Sequence, residues 1–107
     1  YGNLIGNDDM HYGNISLLLD GQGAFELAPC YDMLSMRYRP TSTGEIVYQE
    51  PKPKPPLPQD IEIWRSAAAS ALEFWERVRK ENRISNNFSE IALTNLQVIK
   101  KLRERFD

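Results

Sequence analysis

The sequence predicts a mainly α chain with one small β-hairpin. Three observations lead there. Residues 60–107 contain neither Pro nor Gly and carry two apolar stripes at helical spacing. Residues 15–28 hold two short apolar runs separated by Asp20-Gly21-Gln22-Gly23, a turn sequence in which Gly accommodates positive φ. Most of the prolines fall between them, in residues 40–59.

Taken in order, residues 6–14 form a polar loop, GNDDMHYGN, and ISLLL at 15–19 is the outgoing strand. Residues 24–28 return, and Pro29 ends the hairpin. Residues 31–38 read as a short helix with apolar Met33, Leu34 and Met36. EIVYQ at 45–49 reads as a short edge strand. Pro51, Pro53, Pro55, Pro56 and Pro58 remove backbone donors and bias the connector toward polyproline II. Such a run serves either as a stiff strap over a domain surface or as a ligand for a Pro-recognising groove.

Asp60 is the expected N-cap of a first long helix. Its stripe is Trp64, Ala68, Ala71, Leu72, Trp75 and Val78, with Glu73 and Arg77 paired on the polar side. Residues 83–87 break it. A second helix begins near Ser85 or Ser89, with Phe88, Ile91, Ala92, Leu96, Ile99, Leu102 and Phe106 as its apolar face. Lys100, Lys101, Arg103 and Arg105 either form a solvated C-terminal turn or meet an acidic partner. The two helices form an antiparallel hairpin that buries both tryptophans. An apolar helical face left uncovered predicts self-association.

Composition narrows the function classes. The 107 residues are 41% hydrophobic and 26% charged, ordinary for one soluble domain. No run approaches the roughly 18 apolar residues of a spanning helix, so no membrane partner is expected. A net charge of −2 gives no overall nucleic-acid footprint. One Cys and one His build neither an internal disulfide nor a structural zinc site. A reducing, cytoplasmic location is expected. The chain begins with Tyr rather than Met, so a piece of a larger protein is also expected.

The chemistry lies in the polar loop and in the segment after the hairpin. Asp9 precedes Asn14 by five positions, and Asp32 comes after the returning strand. Phosphoryl transfer needs such a set. Its anionic phosphates require magnesium, a hard cation that takes carboxylate and carboxamide oxygens, and a separate carboxylate orients the attacking hydroxyl. The catalytic loop of protein kinases has an Asp, an Asn five residues later, a hairpin and then a metal-binding Asp. The same residues also suit a solvated turn, an ordinary hairpin and an Asp capping the next helix.

GNDDMHYGNISLLL followed by FELAPCYDMLS resembles the C-terminal region of the HipA-family serine/threonine kinases, the toxins of bacterial toxin–antitoxin pairs. Gly6, Asp9, His11 and Asn14 match the first family motif, and Leu27, Pro29, Tyr31, Asp32 and Leu34 match the second. These motifs cover about the first third of the chain. The resemblance implies part of the C-terminal lobe of a protein-kinase-like fold. Residues 1–39 would carry the catalytic loop and metal Asp, 40–59 a Pro-rich connector, and 60–107 the helical hairpin. Asp9 falls at the catalytic base, and Asn14 and Asp32 at magnesium positions. His11 either contacts ATP phosphate or braces the loop. ATP and Mg²⁺ are the implied cofactors. The implied partners are a protein substrate (relatives act on aminoacyl-tRNA synthetases) and an antitoxin, with DNA reached only through the antitoxin.

No Gly-rich phosphate loop and no Lys in an ATP-anchoring strand is present. In the family these lie in an N-terminal lobe, so the fragment alone is expected to be inactive and to bind magnesium weakly. Two rival readings stand beside this one. One is a non-catalytic module in which the helical hairpin or the Pro strap docks a regulatory partner. The other is a metal-dependent phosphoesterase using Asp8, Asp9 and His11, which a single His makes poor.

Overall fold

A computed structural model describes residues 1–10, 15–29, 31, 33–45 and 49–107. It is mainly helical, with a two-stranded antiparallel sheet of β1 (Leu17–Leu19) and β2 (Phe25–Leu27) and two helices, α1 (Ile61–Lys80) and α2 (Asn86–Glu104). Single 3-10 turns occupy Met36–Tyr38 and Pro58–Asp60.

α1 is rich in Ala, the best helix former, and buries Trp64, Ala68, Ala71 and Trp75 along one face. Asp60 stands at its N-cap position, but the carboxylate makes no capping bond, contrary to expectation. The 3-10 turn explains this. It brings the chain in with ψ near 3° at Asp60, whereas a capping side chain works from an extended residue. The helix ends at Glu81. That carboxylate accepts the Arg83 backbone N–H at 3.2 Å and the guanidinium at 2.9 and 3.1 Å, closing the interhelical turn. The same guanidinium holds the Glu81 carboxyl below its ordinary pKa. Ser85 is the true cap of α2: its backbone is extended and its Oγ accepts the Phe88 N–H at 3.3 Å. Glu73 and Arg77 pair as expected, at 2.6 Å, on an exposed face.

The helices run antiparallel. Trp64 meets Phe106 at one end, with ring centroids 5.5 Å apart, and Trp75 meets Phe88 at the other, at 6.3 Å. Ala68, Ala71 and Ala92 are completely buried, and their small side chains leave room for the tryptophans. The core also takes Leu4, Ile5 and Tyr38 from the first third of the chain. Tyr38 packs edge-on to Trp75 and to Phe88, each at 6.1 Å. Its hydroxyl accepts from the buried Asn95 amide at 2.9 Å, and that amide also donates to the Ile91 carbonyl. First and last thirds therefore share one core.

The helix expected over 31–38 is reduced to the turn at Met36–Tyr38. The Arg37 N–H is diverted to the Gly6 carbonyl at 2.9 Å, so this segment is pinned to the first loop instead of coiling on itself. Cys30 and Asp32 lie outside the described residues, as do 46–48, on which the expected edge strand falls. The connector is a strap laid over the surface. The Lys54 N–H donates to Asn3 Oδ1 at 2.7 Å, and the Lys54 carbonyl accepts from Trp64 Nε1 at 3.3 Å.

The β-hairpin turns on Asp20, whose Oδ1 accepts the N–H groups of Gln22 and Ala24 at 2.8 and 2.9 Å, with Gly23 at φ +83°. The pairing Leu17↔Leu27 and Leu19↔Phe25 puts four large apolar side chains on one face, and all are exposed. The uncovered apolar surface is thus mainly on the hairpin. The helical stripes, where it was expected, are covered by each other and by Leu4, Ile5 and Tyr38, though Ile63 and Leu93 remain exposed.

Candidate active site

The first seven residues wind into a tight coil. The Leu4 and Ile5 N–H groups both donate to the Tyr1 carbonyl, and the Asn7 N–H donates to the Gly2 carbonyl at 2.9 Å. Gly6, at φ +78°, reverses the chain, and Tyr38 leaves little room for a side chain there. Apolar Leu4 and Ile5 plunge into the core, and Trp75 Nε1 donates to the Leu4 carbonyl at 3.0 Å. The loop that leads to Asp9 is therefore fastened to α1 by a buried hydrogen bond.

Asn7 is the hinge of the site. It is 3% exposed, its Oδ1 accepts the Asp9 N–H at 3.1 Å, and its Nδ2 lies 3.3 Å from Met33 Sδ. The Asp9 N–H fixes which end of the amide faces it, since only the oxygen accepts. One buried side chain thus sets the backbone at Asp9 and touches the segment after the hairpin. Asp9 itself is exposed, and its carboxylate has no partner among the described residues. An immobilised backbone carrying a free carboxylate suits a group that must accept a hydrogen bond from an incoming hydroxyl.

The hairpin folds the chain back on this loop. The Ala28 N–H donates to the Ser16 carbonyl at 2.8 Å, and Ser16 Oγ and the Tyr31 hydroxyl are 2.9 Å apart. Residues two after Asn14 and one before Asp32 in sequence therefore meet, while Met33 meets Asn7. His11, Asn14 and Asp32 themselves lie outside the described residues. Of the four candidate residues, the structure places Asp9.

Sequence reasoning missed Asn7, the Trp75–Leu4 bond and the Asn95–Tyr38 bond. Asn95 did carry a trace: it is a polar residue one turn after Ile91 and one turn before Ile99, within the apolar row of α2. Asn7, two residues before Asp9, fits an Asx-turn. Nothing local announces the partner of Trp75, which is 71 residues away.

The opening loop that leads to an exposed Asp shares one core with the helical hairpin, and the β-hairpin stands outside that core. A model of the HipA-like C-terminal domain matches residues 2–102, and the chain belongs to that family. "Toxin YjjJ" of Escherichia coli (strain K12) is 37% identical over 105 residues, which is 98% of this chain and 24% of that protein. The chain spans about a quarter of the length of this curated relative. No solved structure shows a significant match. The family match reaches across both helices, well beyond the two motifs of the first third. Among the described residues no helix is long and apolar enough to cross a membrane.

Proposed function

We propose that this chain is the base- and metal-bearing part of a HipA-like toxin that acts as a serine/threonine protein kinase, moving the ATP γ-phosphoryl to a protein hydroxyl. The observation that carries the reading is Asp9: a solvent-facing carboxylate on a backbone held by buried Asn7, which Met33 meets after the hairpin closes between Ser16 and Tyr31. Asp9 accepts the hydrogen bond of the attacking hydroxyl and orients it. Asn14 and Asp32 would hold magnesium, and a carboxamide with a carboxylate is a donor set that fits this hard ion. His11 contacts a phosphate or braces the loop. Bound magnesium would neutralise the phosphate charge. The toxin relative of Escherichia coli supports a toxin role in a bacterial setting; an antitoxin partner, a cytoplasmic location and DNA met only through that partner belong to the same proposal. An aminoacyl-tRNA synthetase is the proposed kind of substrate.

The test is phosphoryl transfer by the gene product at its natural full length, with and without Asp9→Asn. A positioned general base contributes about 10²- to 10⁴-fold, so the variant should lose roughly that much of its rate. Undiminished transfer would remove Asp9 from the mechanism.

A further inference from the structure

We propose that a cavity beneath the Pro-rich strap docks an acidic segment of the polypeptide that accepts the phosphoryl group. The cavity has a volume of about 420 Å³. Asp8 and Met10, on either side of Asp9, line it, so its occupant lies alongside the proposed base. Arg37, Lys52 and Lys54 line it too. Arg37 and Asp8 are shared with an adjoining cavity of about 270 Å³ that Arg39 also lines. Four cations thus face one continuous region, and Asp8 is the only carboxylate among its described lining residues.

The walls are fixed rather than loose. Arg37 Nε donates to the Glu50 carbonyl at 2.8 Å, which ties the strap to the loop after the hairpin. The two terminal nitrogens of that guanidinium have no partner among the described residues. They are free to take a carboxylate in the planar, two-pronged manner that suits Arg. The backbone of Lys54 is held by Asn3 and Trp64, Lys52 lies two residues before it on the strap, and both ammonium groups are likewise unpaired among the described residues. Alternation of Lys with Pro gives both effects at once. Pro stiffens the wall, and Lys supplies its charge. This is a use of the connector that base and metal positions leave unexplained.

A peptide fits better than a nucleic acid. The chain has net charge −2, so these cations make a local patch and not a stripe along which a phosphate backbone could run. Asp8 repels a continuous polyanion but leaves room for one or two carboxylates on the basic side. Among the described residues lining the two cavities the only aromatic is Tyr38, which is buried in the core and offers no open ring for stacking bases.

The name acceptor rests on the kinase reading. Docking is measured without nucleotide, so the two fail separately: a peptide that binds but is never phosphorylated by the full-length protein counts against the kinase reading alone. The chain is titrated by calorimetry with a ten-residue peptide carrying Glu on both sides of a central Ser. Controls are the same peptide with Gln for Glu, inorganic phosphate and a thymidine oligonucleotide. The Glu peptide should bind, weaken as salt rises, and exceed the Gln peptide severalfold. Lys52→Gln with Lys54→Gln keeps the backbone bonds of the strap. It should weaken the Glu peptide by about fivefold, within what two exposed charge pairs give. Equal binding of the Glu and Gln peptides overturns the proposal. So does an unchanged affinity in the double variant, or tighter binding of phosphate or oligonucleotide than of the peptide.

Discussion

Replacing Trp75 with Phe takes a single hydrogen-bond donor out of the middle of the core. Trp75 is completely buried, and its Nε1 lies 3.0 Å from the Leu4 carbonyl. Phe keeps most of the apolar contact with Tyr38 and Phe88 but cannot donate. The Leu4 carbonyl, now buried without that partner, costs about 1–3 kcal/mol. The missing ring leaves roughly 35 Å³ unfilled, which adds about 0.8 kcal/mol at ~24 cal/mol per Å³. The expected loss is therefore about 2–4 kcal/mol, a large share of the roughly 5–15 kcal/mol a domain possesses. Urea unfolding followed by far-ultraviolet circular dichroism reads it as a lower midpoint at unchanged slope. Trp64→Phe is the control. Its bond is longer, 3.3 Å, and goes to a carbonyl of the surface strap that water can reach, so about 1 kcal/mol is expected there. Amide exchange adds a local readout: residues 4–7 should lose more protection than α2. A Trp75→Phe midpoint within about 0.5 kcal/mol of the parent would refute the clamp, because no well-packed core absorbs both losses at once.

Other substitutions probe separate parts of the fold. Gly6→Ala forces a side chain into φ +78° with its Cβ 3.1 Å from the Tyr38 ring, and should lower stability by about 2 kcal/mol in a thermal melt. Ser85→Ala removes the cap of α2 and should cost about 1 kcal/mol, seen as fraying of the first turn by amide exchange. Phe25→Ser lies on the exposed face of the hairpin, 67% accessible, and should shift unfolding by less than about 0.5 kcal/mol. A large loss there would mean that the hairpin is buried against something in solution.

The helices were legible because their periodicity is long and uninterrupted. Trp64, Ala68, Ala71 and Trp75 recur one turn apart, and the turn between the helices sits where Arg83 and Ser85 fall. The hairpin was legible from Asp20 and Gly23, which make the turn by purely local bonds. The helix over 31–38 was misread because its apolar spacing is real but its N–H groups are spent elsewhere, on Gly6 in the case of Arg37. Asp60 was read correctly as a boundary and wrongly as a capping side chain, since Pro58 nucleates a tighter turn. At the site, Asp9 could be named from its interval to Asn14. The side chains that hold its loop could not, because Asn7, Trp75, Tyr38 and Asn95 act through partners that only the folded chain brings near.

The long span of those clamps bears on how the protein comes into being. Trp75 reaches back 71 residues to Leu4, and Asn95 reaches back 57 to Tyr38, whereas α1 and α2 pair across a short turn. Closing a distant loop costs entropy that neighbouring helices do not face. During synthesis Leu4 is made 71 residues ahead of its anchor, Trp75. The expected order is helices before coil, and pulse-labelled amide exchange would register it as protection at Ala92 preceding that at Ile5. A growing polypeptide then holds its acidic loop untethered until α1 has been made.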